Sequence, residues 1–157
     1  MKKILLFIFI AFKSLAQDAE YIKTQDTLYL LLEETAQLKV QKFTKFTLQS
    51  SSSTSLNFYE FSEAPSKQLT IWTQEDGKFP DKKLNRIVKR KDFLKTNKSK
   101  IIDADFIDTI GVTDFLFTIL KLNETKRVIY VLNKRDLKKR KILLKKAKFS
   151  IVGYAEM

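Results

Sequence analysis

Three groups of side chains in this chain are typed and spaced for chemistry. Asp103, Asp105 and Asp108 crowd one short stretch, and oxygen ligands so placed suit calcium or magnesium. A basic block holds Lys134, Arg135, Lys138, Lys139, Arg140, Lys141, Lys145 and Lys146, flanked by Tyr130 and Phe149. Basic residues interleaved with aromatics are the footprint of a polyanion binder. Glu33, Glu34, Glu60 and Glu63 supply carboxylates of the kind a glycosidase pairs across a sugar bond.

Each group also has a plainer reading. Acids at a helix start accept backbone N–H bonds and suit the helix dipole, and the aspartate stretch lacks the glycine and terminal glutamate of an EF-hand loop. The aromatics beside the basic block fall in strand patterns and read as core, which makes nucleic acid a weaker fit than an anionic envelope component or an acidic protein. Nothing in the glutamate spacing requires an acid pair.

What is missing narrows the field. The chain has no histidine and no cysteine. The commonest neutral-pH base and the commonest metal ligand are therefore absent, as are thiol nucleophiles, disulfides and Cys/His zinc sites. A Ser-His-acid triad cannot form within it. No phosphate loop, nucleophile elbow or dinucleotide fingerprint occurs, and no cofactor is implied. The net charge is +12 over 157 residues. Such a surface favours anionic partners, although lysine-rich composition also serves solubility alone.

The first residues explain where the chain goes. Lys2 and Lys3 precede an apolar run from Ile4 to Phe12, and Ser14 and Ala16 set small residues at −3 and −1 of a cut before Gln17. This is the pattern of a Sec signal peptide, residues 1–16, too short to span a bilayer. Losing Lys2, Lys3 and Lys13 takes the charge from +12 to +9. No later stretch is apolar and long enough to cross a membrane, so the expected product is a periplasmic or secreted single domain, residues 17–157.

These groups must be positioned by the elements around Ile101–Arg135, the most apolar part of the mature chain. Asp103 can cap a short helix and Gly111, in a left-handed conformation, can end it. Alternation then predicts a hairpin of two strands, Asp114–Leu122 and Arg127–Asn133, joined by Asn123–Lys126 and apolar on both faces. Before it, Gln17–Gln25 reads as a frayed lead. Thr27–Glu33, Leu56–Phe61 and Leu69–Thr73 read as strands. Leu38–Gln49 reads as a strand bulged near Lys42–Thr44. Ser50–Ser53, Ala64–Ser66, Asp76-Gly77 and Pro80-Asp81 read as turns.

Lys82–Lys100 fits one helix, or a strand Asn85–Lys89 followed by a helix capped by Asp92; the split is preferred. Ile142–Val152 fits a helix, or an edge strand guarded by lysines, and the strand is preferred.

The fold class is α+β: a mostly antiparallel sheet of about six to eight strands, covered on one face by one or two short helices. The expected core is Leu30, Leu32, Phe58, Ile71, Trp72, Phe106, Ile110, Phe115, Phe117, Ile119, Val128, Tyr130 and Leu132.

The leader MKKILLFIFIAFKSLAQ resembles signal peptides of Bacteroidota, in which mature chains often begin with glutamine. The stretches VKRKDFLKTNKSKIIDADFIDTIG and RVIYVLNKRDLKKRKILL look like those of small exported proteins of that group. The resemblance implies export and carries no activity to any residue. Asp26-Thr27-Leu28 and Asp108-Thr109-Ile110 look like the short motif O-glycosylated in such proteins.

The expected function is a non-enzymatic envelope protein that binds an anionic partner through Lys134–Lys148. The alternatives are a metal-assisted hydrolase using Asp103, Asp105 and Asp108, or a structural or assembly component.

Overall fold

The computed structural model describes residues 20–53, 55–63, 67–74, 85–120 and 127–153. The expected signal peptide with its Ala16/Gln17 cut, the expected hairpin loop Asn123–Lys126 and the expected turns at 64–66, 76–77 and 80–81 lie outside them.

Nine strands form one sheet: β1 (Thr27–Leu32), β2 (Lys39–Lys42), β3 (Thr47–Ser52), β4 (Leu56–Glu63), β5 (Lys67–Gln74), β6 (Asn85–Lys89), β7 (Ile101–Asp103), β8 (Val128–Asn133) and β9 (Lys141–Val152). The spatial order is β2-β3-β4-β5-β9-β8-β1-β7, with β6 also on β9. Among the described residues only β1 with β7 and β1 with β8 run parallel. The sheet is thus mostly antiparallel, in an α+β fold. β5 and β6 lie end to end along β9: Thr73 pairs with Ala147 and Asn85 with Lys145, a register jump that matches the residues 75–84 between them.

Among the described residues, the helices that follow β6 are α1 (Arg90–Asn97), α2 (Ala104–Ile110) and α3, which begins at Val112–Asp114 and continues as a π-helix over Phe115–Leu120. The split reading of Lys82–Lys100 is what forms, with Asp92 inside the first turn of α1. Asp103 caps α2 by accepting the Phe106 N–H at 2.9 Å. Gly111 ends it at φ +90° and ψ 153°, a region that side-chain-bearing residues avoid, while its N–H donates to Ile107.

The hairpin does not form. Phe115–Leu120 is helical, and β8 pairs instead with β1 and β9. Val112, Phe115, Leu116, Ile119 and Leu120 are all buried, the i, i+3, i+4, i+7, i+8 stripe of a helix packed by one face. The alternation from Asp114 onward was real but subordinate to that stripe. The reading of β8 as apolar on both faces does hold.

Both faces matter because the sheet carries two cores. Leu28, Leu30, Leu32, Ile129 and Val131 join one core with Ile107, Val112, Phe115 and Ile119 from α2 and α3. Tyr29, Tyr130, Leu132, Ile142 and Leu144 form a second with Phe93 of α1. Helices therefore cover both faces at β1 and β8, not one face as expected, because the alternate residues of these strands are apolar on both sides. In β2–β5 only one face is buried, through Leu48, Tyr59, Phe61, Leu69 and Ile71. Phe58 and Trp72, expected in the core, pair across strands on the other face and are half-exposed. Leu30, Leu32, Ile71, Phe115, Ile119, Tyr130 and Leu132 are buried as expected. Phe106, Ile110, Phe117 and Val128 pack against the cores half-buried.

Four local expectations are corrected. The lead is not wholly frayed: residues 20–23 make a helical turn that buries Ile22. Leu38–Gln49 is not one bulged strand but the hairpin of β2 and β3, with its turn at residues 43–46, where Phe43 N–H donates to Phe46 O and the two rings stack at 4.7 Å. Ser50–Ser52 extends β3 rather than turning. Finally, β9 is central and not an edge, since β5 and β6 pair with one side and β8 with the other.

Candidate functional site

A cleft lies where the parallel strands β1 and β8 end. Chain leaving β1 supplies Glu33 and Glu34, and β8 ends at Asn133, directly beside Leu32. Neighbouring strands part company at their carboxyl ends, which leaves a crevice there. Asn133 also starts the next turn: its Oδ1 accepts the Arg135 N–H at 3.0 Å, and the chain winds through a 3-10 turn, Lys134–Lys138. That turn folds the basic block back over the strand ends, and β9 returns the chain beneath it.

The result is a cleft of about 610 Å³. Arg135, Lys139, Lys141 and Lys145 line it against two carboxylates, Glu34 and Asp136, with Ser52 and Asn133 between. Four members of the predicted basic block therefore converge. Lys134, Lys138, Arg140 and Lys146 are exposed and lie outside its lining.

Lys145 is the floor. Only 6% exposed, it faces inward from β9, and its Nζ donates to Glu34 Oε1 at 2.9 Å. Asn133 Nδ2 donates to the other oxygen of Glu34 at 3.3 Å. A buried ammonium needs such partners, because an unpaired one is costly to desolvate. Glu34 also reaches inward electrically: burial, and then the charge of Glu34, push the Tyr59 phenol above its ordinary value.

The rim is more open. Asp136, itself buried, holds Lys139 at 2.7 Å and accepts the Leu143 N–H at 3.3 Å. Glu33 accepts from Lys39 at 2.5 Å, and that bond holds its carboxyl below the ordinary range, with Arg135 and Lys134 adding to the pull against burial. The field of the block is thus felt around the whole end of β1.

A polar seam continues inward along the sheet. Thr35 Oγ1 lies 3.3 Å from Ser50 Oγ, Ser52 Oγ donates to Asn57 Oδ1 at 2.6 Å, and Asn57 Nδ2 to Thr73 Oγ1 at 3.4 Å.

The aspartates are used differently. Asp103 caps α2. Asp108 accepts the N–H groups of Lys45 at 2.8 Å and Thr44 at 3.2 Å, fastening α2 to the β2–β3 turn and holding its carboxyl below the ordinary value. Asp105 stands exposed in the first turn of α2. Among the described residues, no three His, Cys, Asp or Glu side chains gather as a metal site would need. The four glutamates do not assemble as a group either: Glu60 accepts from Ser62 and Glu63 from Thr113, and neither lines the cleft.

Sequence reasoning missed Asn133, Ser52 and Asp136, and it valued Glu34 only as one carboxylate of four. An Asn at the end of an apolar strand, just before a basic turn, was the available signal.

Comparison with known proteins finds no match: no family model fits the chain, and no curated protein or solved structure is similar to it. No helix among the described residues is long and apolar enough to cross a membrane.

Proposed function

We propose that this is a small exported protein of the cell envelope that takes an anionic partner at the cleft above Lys145. One observation carries the reading: Arg135, Lys139 and Lys141 surround an opening whose floor is a buried, already paired lysine. The paired floor neutralises Glu34 and Asp136 offsets Lys139, so Arg135 and Lys141 are left to set the potential that an incoming anion meets. Open cationic rims attract and orient anions more than they hold them tightly. The partner is an anionic envelope component or an acidic protein, and the role is binding rather than catalysis.

The test is binding of polyglutamate and of lipopolysaccharide micelles to the secreted, leader-free chain at increasing salt. Affinity falls steeply over the range in which the Debye length drops from about 30 Å to about 8 Å. The triple variant R135Q/K139Q/K141Q loses most of it. Equal binding by this variant, or binding indifferent to salt, removes the proposal. Mass spectrometry that finds Gln17 as the first residue supports the export half; an intact Met1 overturns that half alone.

A further inference from the structure

A second groove, of about 460 Å³, lies on the opposite face of the sheet. It runs beneath α1 at the amino-terminal ends of β1 and β8, away from the basic cleft. Its floor is aromatic. Tyr29 and Tyr130 are register partners on β1 and β8, stacked at 6.1 Å, and Phe93 of α1 meets Tyr29 edge-on at 4.8 Å. The two tyrosines are only 9% and 6% exposed.

Their hydroxyls are available to a ligand. Buried phenols ordinarily find a hydrogen-bond partner. Among the described residues neither Tyr29 nor Tyr130 has one, yet neither oxygen is sealed from solvent as Asn85 Oδ1 is. Both residues line the groove, and their oxygens keep contact with solvent. Arg86 of β6 lies over the Tyr130 ring at 5.6 Å from its centroid. Arg86 is itself exposed, so its guanidinium stands at the mouth, and no carboxylate among the described residues pairs with it.

We propose that this groove binds the oxyanion, carboxylate or phosphate, of a small molecule with an apolar body. Arg86 meets the anion with its planar fork, and the two phenol O–H groups donate to it from below. Val88, Val128 and Leu144 receive the apolar part. Arg86 and Lys89 outnumber Asp92, the one acid on the groove wall among the described residues. The volume suits a small ligand. Burial, and next the neighbouring Tyr130, push the Tyr29 phenol up against the opposing pull of Arg86. The three groups thus feel one another, and the Tyr29 O–H keeps the proton it must donate. This proposal is independent of the cleft above Lys145, which lies on the other face.

The experiment is a titration of the isotopically labelled full mature chain, followed residue by residue by NMR, with inorganic phosphate, acetate and benzoate. Saturable shifts at Tyr29, Arg86, Phe93 and Tyr130 are expected. Benzoate binding more tightly than acetate marks a carboxylate site with an apolar wall; saturation by phosphate alone marks a phosphate site. Arg86→Gln weakens the preferred anion by about tenfold or more, the scale of one charge-assisted bond. Tyr130→Phe, which keeps the ring and its packing, weakens it by a smaller factor. The cleft variant R135Q/K139Q/K141Q leaves the groove titration unchanged. Shifts confined to the Arg135–Lys145 region, no saturable shift with any of the three anions, or unaltered binding in both Arg86→Gln and Tyr130→Phe would overturn the proposal.

Discussion

The two halves of the sheet are built on different terms. In β7, β1 and β8 the strands run parallel, and β1 and β8 have apolar residues on both faces and helices over each. In β2 to β5 the strands form a meander with one buried face, while Phe58, Trp72 and Val40 look outward. Strand β9 belongs to both. Ile142 and Leu144 serve the core under α1, and past Lys145 the opposite parity takes over as Ala147 and Phe149 pack against the other core. Where one helix stops covering the sheet, Lys146 and Lys148 face solvent. Both grooves belong to the doubly covered half and its margins, since concavity needs walls and that half has helices or turns standing above both faces of its strands. The difference teaches that in this small fold the parallel part supplies shape and the meander supplies extent.

That contrast can be broken most directly by truncating one residue in each half. Leu30→Ala, in the doubly covered half, should cost about 2–5 kcal/mol in denaturant unfolding, while Val40→Ala on the open meander stays within about 0.5 kcal/mol. Similar losses at both sites would mean that the two halves are not differently packed.

A smaller effect tests the join between the halves. Glu34→Gln leaves the Lys145 ammonium short of its charged partner and should cost about 1–3 kcal/mol, less than a fully buried pair because Glu34 is partly exposed. Restoring stability with E34Q/K145M would show that the loss came from the stranded charge rather than from packing.

Smaller again is the hinge before α3. Gly111→Ala should lose about 1 kcal/mol or somewhat more through its positive φ alone, because a Cβ there meets only Lys45 Cδ at 3.7 Å. A neutral result would show that the turn relaxes.

The smallest expected effect concerns the tie between α2 and the meander. Asp108 is held below its ordinary value by the backbone N–H of Lys45. A carboxyl with a depressed folded value contributes stability above its unfolded value and loses that contribution as pH falls through the folded one. Asp108→Asn should therefore be less stable than the parent chain at neutral pH, and the gap should close in acid below the usual aspartate range. A gap that is constant with pH would assign the loss to geometry rather than charge.

Much of the architecture was legible from local pattern. The strands around Leu30, Phe61 and Ile71, the split at Lys89, the Asp103 cap and the Gly111 stop each rest on residues that act within a few positions of themselves. The failures share one cause. Phe115–Leu120 alternates like a strand and also repeats like a helix, and short apolar runs satisfy both periods. What decided between them was Val112, the residue that begins the helical stripe, together with a sheet face that needed a cover. The lysines of β9 looked like edge protection because sequence does not say which strands will flank it.

The candidate site was half legible for the same reason. The basic block announced cations, but the partition that sends Arg135, Lys139, Lys141 and Lys145 into the cleft and leaves Lys134, Lys138, Arg140 and Lys146 outside follows from the turn at Asn133 and from pairing with β8. The groove under α1 was invisible, since Tyr29, Arg86 and Tyr130 come from three separated strands.

By itself, then, the chain settled its charge, its lack of histidine and thiol chemistry, and most of its local elements, because those depend on residue type and near neighbours. Only the folded sheet decided which cations share a cavity, which phenols lack partners and which face each helix covers. Those outcomes depend on strand order, and strand order is fixed by contacts between residues far apart in the chain.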